Sequence, residues 1–229
     1  MKTILFPSGC LAAVLAISSV LAAEDPRVGS LTAEEFKQAG VTAAEQLKAL
    51  KPDGAQLSTE DKALLQRLVN DNALQAAMSA MAPAKALSAA VKEFAKGESD
   101  EQSAMATKLK ELATAKGAAA IPNLDATAQK MVIVLGEKTG ADFDKAYILT
   151  SAVKGHQVMQ ETLEKIRAEA KDEALRQIAI LSLPLVKVHV RIAAEMAEPF
   201  NDTVLTPAAP TFPKDEPVPV GKLEGRYGN

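Results

Sequence analysis

The sequence predicts an all-α chain built on an antiparallel four-helix bundle, with a short extra helix and a Pro-rich C-terminal tail. Three observations predict it. Apolar residues recur at helical spacing along residues 57–198, helix start and stop residues bracket those stretches, and the links between them are short.

The chain opens with Met1-Lys2, then an apolar run to Leu21 closed by the small residues Ala22 and Ala23. A charged start, an apolar middle and an A-x-A-like end read as a secretory signal peptide over residues 1–22. At roughly 13 to 15 residues the run is short of the ~20 that span a bilayer. Cys10 is a poor lipidation site, because Pro7 stands where an aliphatic residue belongs. Cleavage removes Lys2, no acid and the single cysteine, so 207 residues remain and the net charge moves from −3 to −4. The mature chain is expected in the periplasm or secreted, without a disulfide or a thiol nucleophile. Its mildly acidic balance, with no tryptophan and no basic cluster, excludes nucleic acid as a partner.

Residues 23–56 form a polar N-terminal segment. Thr32-Ala33-Glu34-Glu35 reads as the capping box of a short helix, and Lys51-Pro52-Asp53-Gly54 as a turn. Ser58-Thr59-Glu60-Asp61 opens the first bundle helix, which carries Leu64, Leu65, Leu68, Asn72, Gln75 and Met78 on one stripe. The second runs from Ser88 to Lys116-Gly117, with Val91, Phe94, Glu98, Gln102, Met105, Leu109 and Leu112 facing inward. Lys108 and Lys110 are placed on its solvated face. Met131 to Leu135 reads as a short covering helix. A long helix follows Thr139-Gly140, with His156, Met159 and Leu163 inward, and residues 171–173 break the chain tightly. The last helix presents Val186, His189 and Ile192 inward, and Pro184 is expected to kink it. Five prolines from Pro207 to Pro219, with few large apolar residues, make 199–229 an extended tail.

Leu57 to Leu64, Val91 to Ala95, Phe143 to Tyr147 followed by His156, and Leu183-Pro184-Leu185 with His189 recur in that order. Over about residues 57–197 they resemble the bacterial family called domain of unknown function 4142, often labelled a predicted outer membrane protein. The resemblance implies an exported ferritin-like four-helix bundle of undefined role. The label fits poorly, since no alternating barrel strands are present. Gln75 stands where that family usually has an acid, and Asp100-Glu101-Gln102 where it tends toward acid, acid, histidine.

The two histidines of the chain both fall on core stripes. Measured from the turn near residue 171, their heights differ by only about 3 Å at ~1.5 Å rise per residue. The same reckoning places Gln75 level with Glu98, and Asn72 nearly level with Gln102. Buried unpaired, such groups cost about 1–3 kcal/mol each, so they must meet one another or a ligand. One reading is a hydrogen-bond network that fixes helix register and needs no ligand; it is the favoured one. The other is a single divalent metal held by His156, His189 and Glu98, with Gln75 and Gln102 supporting them. The Glu-x-x-His pattern of two-iron bundles is absent, because Val153 and Val186 occupy the acid positions. No catalytic residues are expected. The function expected is a binding or structural protein of the cell envelope, with metal handling or stress tolerance as the alternative and envelope components or a second copy as conceivable partners.

Overall fold

The computed structural model describes residues 26–201. The expected signal peptide, and the expected tail beyond Asn201, lie outside them. The described chain is all-α apart from one small hairpin, β1 (Arg27–Val28) paired antiparallel with β2 (Leu31–Thr32). Gly29 turns the hairpin at φ +57°, a conformation that costs glycine little. Glu195 and Arg191 pin it by bonds to the Ser30 amide (2.6 Å) and hydroxyl (2.7 Å).

The expected capping box is present. Thr32 accepts the Glu35 amide while Glu35 accepts the Thr32 amide. The helix it opens, α1 (Ala33–Ala49), is 17 residues long rather than short, and buries Phe36, Gly40, Ala43 and Leu47. That spacing gives it a face, which packs on the helices α4 (Ala89–Ala115) and α8 (Glu173–Asn201). Ser58 caps α2 (Thr59–Ser79), Ser88 caps α4 (Ala89–Ala115), and Pro83 lies in the first turn of the single-turn α3 (Ala82–Lys85). The α4 helix stops at Gly117, φ +64°. The covering helix is α5 (Ala126–Gly136), capped by Asp125.

The long helix after Thr139 comprises α6 (Gly140–Tyr147), a π-helical segment (Ile148–Gly155) and α7 (His156–Glu169). Nothing in the apolar spacing marks the π segment. The last helix, α8 (Glu173–Asn201), runs through Pro184 and Pro199, so the expected tail begins with helix rather than extended chain. Pro184 lies on the exposed side, where water can replace the backbone bond it removes. Among the described residues α8 is the one helix long and apolar enough to cross a membrane by length and composition; in this fold it packs on α7 and α1.

Carboxylates tie the ends together. Asp61 accepts the amides of Lys171 (2.9 Å) and Asp172 (3.2 Å), joining α2 to the α7–α8 turn. Asp144 accepts those of Leu87 and Ser88, joining α6 to the start of α4. Lys108 is buried, which corrects its placement on the solvated face. Its ammonium donates to the Leu50 carbonyl (2.8 Å) and to Glu111 (2.7 Å), so the loop after α1 closes over it.

Two apolar clusters make the core. One gathers Leu65, Leu68, Leu109, Leu112, Leu163 and Ile166; the other gathers Phe36, Met78, Phe94, Phe143, Tyr147 and Ile192. On α2, α4, the α6–α7 run and α8 alike, the residues where one cluster gives way to the other are polar: Asn72 and Gln75, Glu98 and Gln102, His156, and His189.

Candidate metal centre in the buried polar layer

Glu98, His156 and His189 meet in this layer, each at 1% exposure or less. One carboxylate oxygen, Glu98 Oε1, lies 2.9 Å from His156 Nε2 and 2.7 Å from His189 Nδ1. The imidazoles stand perpendicular with centroids 5.1 Å apart, and Phe36 and Phe94 pack against them. One ligand-capable atom from each of the three residues falls within 4.8 Å of the others.

Each remote nitrogen faces an oxygen. His156 Nδ1 lies 2.7 Å from the Ala152 carbonyl oxygen. In a regular helix that carbonyl would accept the His156 amide. Here the amide donates to the Val153 carbonyl instead, and the Ala152 carbonyl faces the ring. The π segment therefore sets the imidazole, as such segments do at functional sites. His189 Nε2 faces Glu101 Oε2 at 3.3 Å, without the alignment of a hydrogen bond.

The charges follow from these contacts. Burial pushes the Glu98 carboxyl up, but His156 and His189 outweigh it and hold the group well below the usual carboxylate range. Burial disfavours a charged His189, yet Glu101 and Glu98 together raise it to about 10. Burial keeps the Glu101 carboxyl above its ordinary value despite His189. Burial, then the Glu98 charge, drives the Tyr147 phenol far up; its hydroxyl lies 2.8 Å from that of Ser79.

Of the expected supporting residues, Gln102 reaches Glu98, with Nε2 3.4 Å from Oε2. Gln75 does not. Its carboxamide accepts the Ser151 hydroxyl (2.7 Å) and donates to the Ser151 carbonyl (3.3 Å). It fills space that Gly155 leaves open, where a methyl group would collide with it. Gln75 thus braces the π segment rather than the carboxylate. Asn72, placed level with Gln102, donates to the Gln102 carbonyl at 3.1 Å.

A family model described as a domain of unknown function, DUF4142, matches residues 46–196. The chain belongs to this family. No curated protein and no solved structure matches it. The DUF4142 match holds all three residues of the triad, whereas Phe36 and Gly40 precede it. Glu101 is the participant that the apolar stripe missed. It lies three residues after Glu98, one turn along the same helix, and that spacing was the available signal.

Proposed function

We propose that this chain is an exported, ferritin-like four-helix-bundle protein that holds one divalent transition-metal ion on Glu98 Oε1, His156 Nε2 and His189 Nδ1. One observation carries the metal reading: each imidazole has its remote nitrogen turned to an oxygen, Ala152 for His156 and Glu101 for His189, while the near nitrogens converge on one carboxylate oxygen. Metal-binding histidines are commonly oriented in this way by a backbone carbonyl or a second carboxylate. Two imidazoles and a carboxylate, without thiolate, suit zinc, ferrous iron, manganese or cobalt.

The bundle is supported by the single polar layer that divides the core on α2, α4, the α6–α7 run and α8. Export is supported by the signal-like pattern at residues 1–22 and by the absence of cysteine after it. Binding rather than catalysis is supported by the triad's burial. The cavity that reaches His189 has a volume of about 40 Å³, room for little more than water.

The test is elemental analysis and metal titration of the full chain exported by a bacterial host. One equivalent of zinc or cobalt is expected, lost in both His156→Ala and His189→Ala. No metal on isolation and no thermal shift with zinc, cobalt, manganese or ferrous iron would overturn the reading. A second reading then stands, favoured by the placement of His189 between two carboxylates: protons occupy the layer and it fixes helix register.

A further inference from the structure

We propose that the cation reaches the triad between α1 and α4, with Glu101 as the carboxylate that first receives it. The inference rests on the metal reading above and adds the route.

An ion bound to Glu98 and the two histidines must cross a wall of helices, one side of which is α1 packed on α4. A surface recess of about 100 Å³ opens there, lined by Lys37, Val41, Gly97 and Asp100 among others. Behind it lies the cavity of about 40 Å³ that ends on His189. Gly40, Ala44 and Glu101 line both, so Glu101 is the acidic side chain common to the outer and the inner space.

The inner cavity is lined mostly by apolar side chains such as Leu47, Met105 and Val186, and a few polar atoms stand out in it. Among the described residues four buried side-chain atoms lack a hydrogen-bond partner, and three of them, Glu101 Oε1, Ser182 Oγ and His189 Nε2, belong to residues that line it. Orphaned buried groups cost free energy, so these atoms favour a polar visitor, water or a cation, in that space.

Gly40 leaves the space that the Glu101 side chain occupies between the outer recess and the inner cavity. A methyl group there would collide with the Glu101 carboxylate, and one on Gly97 would come within 2.6 Å of the Phe36 ring. A glycine inside a helix weakens it relative to alanine, so its place in α1 needs a local reason. Room for Glu101 is that reason.

The other approaches lack a free acid. The groove of about 460 Å³ between α2 and α4 brings the neutral amides of Asn72 and Gln102 toward the layer. The groove of about 650 Å³ beneath α5 has the carboxylates of Asp71 and Asp125, but Asp71 accepts from Thr162 and Asp125 caps α5.

Stopped-flow mixing of the metal-free full chain with cobalt(II), read by visible absorption, tests the route. Gly40→Ala crowds the Glu101 carboxylate, so uptake should slow by about tenfold, with the release rate read alongside it. Glu101→Gln should slow uptake on the same scale, and serves should Gly40→Ala fold poorly. Ala76→Leu, in the α2–α4 groove, should leave both rates at wild-type values. Wild-type rates in Gly40→Ala and Glu101→Gln, or slowing confined to Ala76→Leu, would overturn the route and leave the metal site standing. A wild-type chain that binds no cobalt would overturn both.

Discussion

His156 Nδ1 lies 2.7 Å from the carbonyl oxygen of Ala152, and that contact decides which nitrogen faces the triad. A carbonyl has no proton to give, so the N–H must be on Nδ1 and Nε2 must turn to Glu98. Between Nε2 and a carboxylate oxygen 2.9 Å away, something positive is required, either a proton or a metal ion. The expected outcome is a protonated Nδ1 in long-range ¹H–¹⁵N spectra, with and without zinc, while the Nε2 resonance moves on zinc addition. An Nδ1 without its proton would show that the π segment does not orient the ring.

A second prediction concerns the metal-free chain and pH. The folded value for His189 is about 10, against 6.5 for an ordinary histidine, so the folded state binds this proton more tightly than the unfolded state does. The contribution is complete below pH 6.5, declines as pH rises above it, and is gone above about 10. Unfolding free energy by urea should therefore fall between about pH 7 and 10.5 in the wild-type chain and fall less in His189→Leu. Parallel pH profiles for the two chains would show that His189 carries no charge in the fold.

His189→Leu should itself destabilise the metal-free chain at neutral pH. The substitution takes the charged His189 partner from Glu98 and leaves Glu101 facing an alkyl group. Removing one member of a buried ionic cluster typically costs about 3–5 kcal/mol. Adding Glu101→Gln removes one stranded carboxylate and should recover part of the loss, a coupling that a double-mutant cycle measures. Strict additivity of the two changes would show that the residues do not interact.

The layer was legible in the sequence because helical periodicity is a strong signal and its interruptions by Glu98, Gln102, His156 and His189 stand out. Equal height on neighbouring helices was enough to bring the two histidines together. Gln75 was misplaced because height says nothing of direction. The space at Gly155 and the hydroxyl of Ser151 draw it away, and both belong to a π segment that has no periodic signature. Lys108 was misjudged on charge. Its side chain is buried and its ammonium is satisfied by the carbonyls of Lys48, in the last turn of α1, and Leu50, just after it, contacts distant in sequence. The face of α1 escaped notice because Phe36, Gly40, Ala43 and Leu47 form a thin stripe in a polar segment.

The last prediction separates a buried ion pair from an exposed one at a single lysine. Lys116 ends α4 with its side chain 1% exposed, and its ammonium contacts both Asp53 and Asp172. Burial alone would lower its pKa, but the two carboxylates reverse this and raise it. The partners differ in setting. Asp172 is 7% exposed and also accepts the Leu175 amide at the start of α8, whereas Asp53, in the Lys51–Gly54 turn, is 72% exposed. Lys116→Met strands Asp172 away from water and should cost about 3 kcal/mol in urea unfolding. Asp53→Asn removes a charge that water already screens and should cost clearly less than Lys116→Met. Asp172→Asn should fall nearer the first, because it leaves the lysine buried with one exposed partner. Equal, small losses for all three would mean that Lys116 escapes to solvent and that the junction of α4 with α8 does not depend on it.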